Sequence, residues 1–367
     1  MRHRSRGSRN AFRCALGAFA FLASIPFYGA TSAVHTAKIH VFPISTGVGN
    51  QSTPAFSGRL VVWLVGRDPT VGSRSPLADV RGKDLRTGRS VQVTTHSAVW
   101  PAEVATDGRF VAWMDCRACV TIHRLPGIIG EAVYARDLRT GRIVRLGALG
   151  TVAISQGIAV WSGQGGRRHR LRARNLITDR SFLITKNRWM NASPSISGNT
   201  VVWMEMRKGN WDIVGKDLES GKRFTVARHR GTTYFEDPHV SRRLIVWLRR
   251  GARDGSVTIE ARDLLGGPNF RVAAIQADRY LPSGPNVGVS GSIVVWGEAS
   301  HDLSSGHPEF QVLAKDLASG HVYRIAARGQ SEIAPAVSGR TVVWESITSP
   351  WLSTHVESQI DGAVLPK

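Results

Sequence analysis

Seven segments of this chain end in Val-Val-Trp or a close variant, and the tryptophans that close them recur at nearly constant intervals. The clearest copy is "SPSISGNTVVW". Successive tryptophans are 50, 48, 42, 44, 49 and 48 residues apart. A period in this range predicts a β-propeller, in which each period forms one blade of four strands. The closing residues are Trp63, Trp113, Trp161, Trp203, Trp247, Trp296 and Trp344.

A second motif recurs between the tryptophans: a basic residue, Asp or Asn, Leu, and then in most copies a glycine, as in "GKDLESGK". An Asp or Asn that bonds the turn backbone, followed by a glycine, is typical of a tight β-hairpin. Consecutive apolar residues in "VVW" indicate strands covered on both faces. We therefore predict an all-β chain. The six basic residues of this motif allow two interpretations. Their charges form a ring around the propeller, or the aliphatic part of each side chain packs on the blade while its charged group lies near an acid. The residues are Lys83, Arg136, Arg174, Lys216, Arg262 and Lys315.

Seven tryptophan units but six Asp-Leu hairpins leave the last blade incomplete. Residues 356–360 after Trp344 can supply its third strand, and "KIHVFPIST" near the start of the repeats can supply the fourth. This composite blade would close a seven-bladed ring and remove both free sheet edges. A six-bladed ring with a loose tail is the alternative.

The repeat "SPSISGNTVVWMEMRKGNWDIVGKDLESGK" resembles the TolB-like, WD-repeat-like propeller repeat of exported and cell-surface proteins. The resemblance covers roughly residues 38–362 and implies a propeller fold. Propellers host enzymes, receptors and scaffolds, so the repeat does not define the function. TolB itself carries an additional N-terminal α/β domain, whereas here the repeats follow the first segment almost directly, so the partner-binding role of TolB is not carried over.

The first 33 residues differ from the rest of the chain. Five arginines precede the apolar run "CALGAFAFLASIPFYGA" and the small residues "ATSA", which is the order of a secretory signal cleaved after Ala33. We expect an exported protein, periplasmic, on the cell surface or secreted, with residues 34–367 as a single propeller domain. A retained anchor is the alternative, although the run is short and contains Pro26. No later stretch is apolar enough to span a membrane.

The chain is strongly basic, with a formal charge of +21. Removal of residues 1–33 takes away five arginines and no acid, which leaves +16. Such a charge favours an acidic partner, although a basic composition alone can produce it. The same removal leaves Cys116 and Cys119, for which a local disulfide is expected ahead of a redox or metal site.

Positive charge concentrates in the second-to-third strand loops and the blade-to-blade connections of the third to fifth units. These segments vary along the chain and should share one face of the ring, where binding is expected. Arginines bind phosphate, sulfate or carboxylate, and aromatic side chains stack on sugars or bases. Alternatively, the loops vary in sequence without a binding role, the arginines are only solvated, and Trp189 and Trp211 pack between blades. The candidates for polyanion binding are Arg167, Arg168, Arg170, Arg188, Trp189, Arg207, Lys208, Arg230 and Arg249, with Lys186, Arg228, Arg250, Arg253 and Tyr234 beside them.

The acids that follow the repeat tryptophans by two residues recur in equivalent places, which favours structural ion pairs over a catalytic pair. Those acids are Asp115, Glu205 and Glu298. A catalytic pair would break the repeat, and Glu236, Asp237 and Glu332 at the channel mouth are the candidates. Neither a nucleophile elbow nor a phosphate-binding loop nor HExxH is present.

We therefore expect a non-enzymatic binding scaffold for an acidic polysaccharide, envelope polymer or protein partner. An extracytoplasmic polysaccharide hydrolase or lyase is the alternative. Neither a cofactor nor a metal is predicted, nucleic acid is not the favoured partner, and a monomer is expected.

Overall fold

The computed structural model describes residues of one compact unit, Ala33–Lys367. Within the described ranges the regular structure consists of strands, and no helix has the length and apolarity of a membrane span. The predicted signal and the two predicted disulfide cysteines, Cys116 and Cys119, lie outside these ranges. The ranges are 34–35, 39–47, 50–66, 78–95, 99–115, 132–148, 150–163, 169–187, 189–229, 231, 233–251, 255–275, 286–299, 310–325, 331–347 and 357–367.

The strands form seven sheets, each built on four antiparallel strands, which we call blades 1 to 7. Blade 1 consists of β3 (Gln51–Ser57), β4 (Leu60–Gly66), β5 (Ala78–Asp84) and β6 (Ser90–Gln92), and blade 2 of β7 (Val99–Thr106), β8 (Phe110–Asp115), β9 (Ala132–Asp137) and β10 (Ile143–Ala148). Blade 3 consists of β11 (Val152–Ser155), β12 (Ile158–Gly163), β13 (Arg170–Asn175) and β14 (Ser181–Leu183), and blade 4 of β15 (Met190–Ser197), β16 (Thr200–Arg207), β17 (Asn210–Asp217) and β18 (Arg223–Ala227). Blade 5 is β19 (Thr233–Ser241), β20 (Leu244–Gly251), β21 (Val257–Asp263) and β22 (Phe270–Ile275); blade 6 is β23 (Val287–Ser290), β24 (Ile293–Ala299), β25 (Phe310–Asp316) and β26 (Val322–Ile325); blade 7 is β27 (Ser331–Ser338), β28 (Thr341–Ile347), β29 (Ser358–Val364) and β2 (Val41–Pro43).

The first strands of the blades surround a central axis. Each contacts the first strand of the next blade, and β27 of blade 7 contacts β3 of blade 1, so the ring is closed. The molecule is a seven-bladed β-propeller, which confirms the fold predicted from the tryptophan period. The six-bladed alternative is wrong.

Blade 7 is composite, as predicted. Strand β2 pairs antiparallel with β29, with Val41 opposite Ala363 and Pro43 opposite Asp361. The third strand begins at Ser358 and ends at Val364, slightly later than predicted. A further strand, β1 (Val34–His35), pairs parallel with β26 and extends blade 6 to five strands. The sequence did not indicate this addition.

Both faces of each blade are covered by neighbouring blades. In blade 4, Val202 belongs to an apolar cluster shared with blade 5, whereas Val201 and Trp203 belong to a cluster shared with blade 3. All three side chains are at most 1% exposed. Adjacent residues of one strand therefore enter opposite clusters, which explains the apolar run without alternation.

The repeated Ser-Gly turn joins neighbouring blades close to the channel. At the end of a first strand, the Ser hydroxyl accepts a hydrogen bond from a backbone amide in the corresponding turn of the following blade, and in blade 2 Asp107 replaces the Ser. We call these bonds the inner latch. In each pair the first residue accepts through its side chain and the second donates its backbone amide. The pairs are Ser338 and Gly58 (2.8 Å), Asp107 and Gly157 (2.7 Å), Ser155 and Gly198 (3.1 Å), Ser197 and Arg242 (2.9 Å), Ser241 and Gly291 (3.0 Å), and Ser290 and Gly339 (2.9 Å).

The repeated basic residue before Asp-Leu joins the blades further from the axis. Each of the six side chains donates to a backbone carbonyl at or beside the fourth strand of the preceding blade, and we call these bonds the outer latch. Within the described ranges, Arg174 is the member of the six that also binds an acid, Asp179. The donors and acceptors are Lys83 to Ile44, Arg136 to Gln92 and Val93, Arg174 to Arg145, Lys216 to Ile184, Arg262 to Thr225 and Val226, and Lys315 to Val272.

Candidate functional site

The two faces of the propeller differ in the segments that form them. The constant-turn face carries the Ser-Gly turns and the Asp-Leu hairpins. The variable-loop face carries the connections between second and third strands and those between blades. Long parts of the latter lie outside the described residues, and with them four polyanion candidates and one of their neighbours: Arg167, Arg168, Arg188, Arg230 and Arg253.

Blades 3 to 5 bring described cations to the variable-loop face. Lys208 occupies the tight turn between β16 and β17 with a positive φ of 49° and is exposed. Lys186 and Arg228 are also exposed and lie in the connections on either side of blade 4. Arg170 begins β13 at the same end of blade 3. Within the described ranges, no acid lies in ion-pair distance of these four residues.

Three other candidate arginines have acidic partners. Arg207 binds the buried Glu205, whereas Arg249 lies 3.5 Å from Glu260 and Arg250 lies 3.4 Å from Glu236. Their charges are partly neutralised within the fold. Among the described cations, the candidate patch therefore rests on Arg170, Lys186, Lys208 and Arg228.

The aromatic residues predicted beside the patch have different environments. Trp189 is 38% exposed and Tyr234 is 44% exposed, whereas Trp211 packs against the apolar cluster between blades 4 and 5. Asn191 is fully buried, and its side-chain amide donates to the carbonyls of Trp189 and His169, both at 2.8 Å. Because His169 precedes Arg170, this amide joins the backbone at Trp189 to the backbone that leads into β13.

The acids that follow the repeat tryptophans serve the fold in different ways. Glu205 is fully buried and accepts from Arg207, Arg223 and the Asn187 amide, so the predicted structural ion pair is present. Glu298 instead accepts from the Trp296 indole at 3.0 Å and from a glutamine amide.

Blade 7 places Glu345 directly after the repeat tryptophan, one residue earlier than the other acids, without a described cationic partner. Its carboxylate accepts from the Thr53 amide at 3.3 Å and is 6% exposed. Burial raises the pKa of Glu345 to about 7, although the Thr53 amide and the Ser358 hydroxyl both stabilise the charged form.

The three predicted channel-mouth acids have different described partners. Glu236 contacts Arg250, and Asp237 contacts His239, with 3.0 Å between Asp237 Oδ1 and His239 Nε2. Glu332 is 1% exposed and accepts from the Ser346 hydroxyl. Each acid thus has a different partner, and the described side chains contain no group of three metal-ligating residues.

The Asp237–His239 pair breaks the repeat. Both residues belong to β19, a first strand, and both side chains are more than a third exposed, so they face the channel. Two residues before the Ser of the Ser-Gly turn, other first strands carry Ala, Ser or Gly, whereas blade 5 carries His239. Removal from water alone would lower the pKa of His239, but the Asp237 charge and hydrogen bond raise it overall. The charged imidazole of His239 is therefore more stable than that of a free histidine.

Backbone strain accompanies this pair. Asp237 has a φ of +49° and is followed by proline at a β-bulge. A left-handed conformation is uncommon for residues other than glycine. The same feature occurs before a proline at Thr53, Ser193 and Ala334, so the strain belongs to the repeat and the acid-histidine pair is what blade 5 adds.

No protein-family model and no curated protein matches this chain. Solved structures do match it. TolB from Acinetobacter baumannii aligns with 76% of this chain and 66% of its own, at 13% identity and a TM-score of 0.51. The chain has a TolB-like β-propeller fold. The resemblance predicted from the repeat is confirmed at this level.

Other propellers of the same fold have different functions. An oligogalacturonate lyase from Vibrio parahaemolyticus aligns with 92% of this chain and 96% of its own, at 11% identity and a TM-score of 0.58. A puromycin hydrolase aligns with 83% of this chain and 51% of its own, at 13% identity and a TM-score of 0.53. At these identities the likeness establishes the fold alone.

Proposed function

We propose that this TolB-like propeller is an exported, non-enzymatic binding protein whose variable-loop face on blades 3 to 5 holds an acidic polysaccharide. The observation that carries the proposal is the group Arg170, Lys186, Lys208 and Arg228, which has no acidic partner in the described ranges and shares the variable-loop face with the exposed Trp189. The predicted signal in residues 1–33 and the basic composition support an encounter with acidic polymers outside the cytoplasm.

The chemistry of the patch suits a charged sugar polymer. Cations spread over three neighbouring blades match charges that recur along a chain, and each contact releases counterions from the polymer. An exposed indole and phenol offer flat faces on which sugar rings pack. The buried Asn191 amide joins the backbone at Trp189 to the backbone that leads into β13, so this part of the surface is ordered before a ligand arrives.

The partners of the channel acids favour binding over catalysis. Glycoside hydrolysis usually needs two carboxylates flanking one bond. Here Glu236 is engaged by Arg250 and Glu332 is buried against Ser346. One protein of similar fold is an oligogalacturonate lyase, whose name specifies an acidic oligosaccharide, and this is consistent with the proposed class of ligand.

Charge reversal on the patch is expected to abolish retention on immobilised heparin. The variant Arg170→Glu/Lys208→Glu should elute at much lower salt and bind an acidic polysaccharide at least tenfold more weakly, because two favourable contacts become repulsive. Arg180→Glu/Lys222→Glu is the matched control. It makes the same change of charge in exposed residues at the opposite ends of the same two blades.

Elution over a salt gradient separates the possible outcomes. If both double variants lose retention equally, net charge rather than a surface explains binding, and the proposal fails. If neither loses retention, the variable-loop face of blades 3 and 4 is not the binding surface. Preferential retention of nucleic acid or of an acidic protein would replace the polysaccharide as the ligand.

The Asp237–His239 pair supports a second candidate function, an enzyme acting at the channel mouth. His239 is poised to donate a proton to a leaving oxygen, and Asp237 orients the ring and stabilises its charged form. Asp237 is itself fixed by the Val287 amide, 3.4 Å from its second oxygen. The substrate class would be the same acidic polysaccharide.

If the channel is catalytic, His239→Asn should reduce the cleavage of acidic polysaccharides by at least a hundredfold, since one proton donor contributes about 10²–10⁴-fold. The rate should also fall at a pH above the ordinary range of histidine, because Asp237 raises the pKa of His239. His321→Asn, an exposed histidine in the turn between β25 and β26, is the control. Absence of cleavage by the native protein, or equal rates in both variants, would eliminate this candidate.

A further inference from the structure

A groove on the constant-turn face, between blades 1 and 2, is rich in arginine. Its volume is about 680 Å³, and its floor contains Leu60, Val91 and Leu138. The groove lies on the opposite face from the proposed polysaccharide surface. Five arginines line it: Arg59, Arg89, Arg109, Arg136 and Arg139.

Two identical hairpins hold the sides of this groove. Residues 84–89 and 137–142 both read "DLRTGR", and no other blade has this sequence. In the first hairpin Asp84 accepts from the amides of Arg86 and Thr87, both at 3.0 Å. These bonds fix the turn from which Arg89 projects. The second hairpin presents Arg139 on the other side.

The aspartates near the groove are already engaged. Asp84 binds Arg59 at 2.8 Å. Asp137 binds Arg109 through two hydrogen bonds of 2.7 and 3.2 Å, and this guanidinium lowers the pKa of Asp137 to about 2. Neither carboxylate is available to neutralise a further arginine.

Three positive charges therefore remain after these pairs are matched. Arg89 and Arg139 are exposed and form no ion pair in the described ranges, although the Arg139 charge also stabilises ionised Asp137. Arg136 donates through one nitrogen to the carbonyls of Gln92 and Val93, but its buried Nε has no partner among the described residues. Three guanidinium groups around one groove favour an oxyanion, to which each can donate in a fork.

A corresponding groove between blades 5 and 6 shows that the cavity follows from the fold whereas the arginines do not. Its volume is about 690 Å³. Ala318 takes the place of Arg139 in its hairpin, and Phe270 contributes an apolar wall. Arg243 there is paired with Asp263 at 3.0 Å. The excess of arginine is thus a property of the groove between blades 1 and 2.

We propose that the groove between blades 1 and 2 binds a small phosphate or sulfate ester, with the anionic group held by Arg89, Arg136 and Arg139. A volume of this size admits a ligand of one or two sugar units. The apolar floor would contact the body of the ligand, and the guanidinium groups would contact its anionic end.

Calorimetric titration at low ionic strength tests this site with glucose 6-phosphate, glucose 6-sulfate, inorganic phosphate and inorganic sulfate. The native protein should bind at least one ester saturably with one site per chain. Arg89→Ala/Arg139→Ala should weaken that binding at least tenfold. The matched control is Arg86→Ala/Arg142→Ala, which removes two other arginines from the same two hairpins and should leave the affinity within about twofold.

The pattern across probes and variants decides the outcome. Binding of the esters but not of the inorganic ions shows that the floor takes part, and equal binding of both assigns the site to the oxyanion alone. Equal losses in the two double variants, or no saturable binding by the native protein, would overturn the proposal. Heparin retention should be unaffected by Arg89→Ala/Arg139→Ala, so this test and that of the polysaccharide surface fail independently.

Discussion

A chain that begins at residue 48 is expected to lose roughly 5–9 kcal/mol of unfolding free energy relative to one that begins at residue 34. The deleted segment contains the closing strand β2 with three buried side chains, Ile39, Val41 and Ile44, which are 7%, 8% and 3% exposed. Burial of one such side chain contributes about 1.5–3 kcal/mol. Since domains are commonly stable by about 5–15 kcal/mol, this loss removes much of the total.

The closing strand matters on both sides of blade 7. Val41 belongs to the apolar cluster toward blade 6, and Ile44 belongs to the cluster toward blade 1. Its removal therefore weakens the packing of blade 7 against both blade 6 and blade 1, and it leaves β29 as a free sheet edge. Urea unfolding measured by tryptophan fluorescence gives the loss directly.

Complementation provides the control for this deletion. A synthetic peptide of residues 38–47 should restore part of the lost stability when added to the shortened chain, because it can pair with β29. A peptide with Val41→Asp and Ile44→Asp should not. Identical unfolding midpoints for the two chains would show that the ring does not depend on its N-terminal strand.

Replacement of Glu345 by Gln is expected to stabilise the protein by about 3 kcal/mol at pH 8 and to have little effect at pH 4. Burial raises the pKa of Glu345 from 4.5 in the unfolded chain to about 7 in the folded protein. Each pH unit of difference corresponds to about 1.4 kcal/mol. The neutral amide retains the shape of the side chain without the cost of a buried charge.

The direction in which the unfolding free energy changes with pH follows from proton binding. Between pH 4.5 and pH 7 the unfolded chain has released the Glu345 proton whereas the folded chain retains it. The unfolding free energy therefore decreases as the pH rises through this window, and the contribution is constant on either side of it. Denaturation of the native protein and of Glu345→Gln at pH 4, 6 and 8 isolates this term, since all other titrating groups are shared.

Glu205→Gln is the comparison because Glu205 is also a buried glutamate on the second strand of its blade, but it has cationic partners. This substitution removes the charge that Arg207 and Arg223 contact, so we expect a loss of about 2 kcal/mol at pH 8. A loss of stability in Glu345→Gln at pH 8 would contradict the prediction for blade 7.

The architecture was predictable because its signals are local and repeated. A single copy such as "SPSISGNTVVW" specifies a turn and a buried strand, and seven copies at a constant period specify the ring. The composite blade was also predictable, since one unit lacked its hairpin and "KIHVFPIST" had no other partner.

The roles of the repeated polar residues were not predictable in the same way. Ser197 and Lys216 each act on a neighbouring blade, at Arg242 and Ile184, more than thirty residues away. Their spacing within one repeat shows a turn but not its distant partner. The Asp237–His239 pair did leave a signal, since "DPHVS" carries a histidine where the other copies have a small residue.

Both latches are present at five of the seven blade boundaries in the described ranges, where they give neighbouring blades complementary ends. Along the chain, a blade offers oxygen acceptors to its successor and directs N–H donors toward its predecessor. A duplicated or deleted repeat would therefore find the correct chemistry at both new boundaries without compensating substitutions. This polarity gives gene duplication a simple route to rings with different numbers of blades. Blade 7 cannot be duplicated in this way, because its fourth strand, β2, comes from the N-terminal part of the chain and not from the repeat itself.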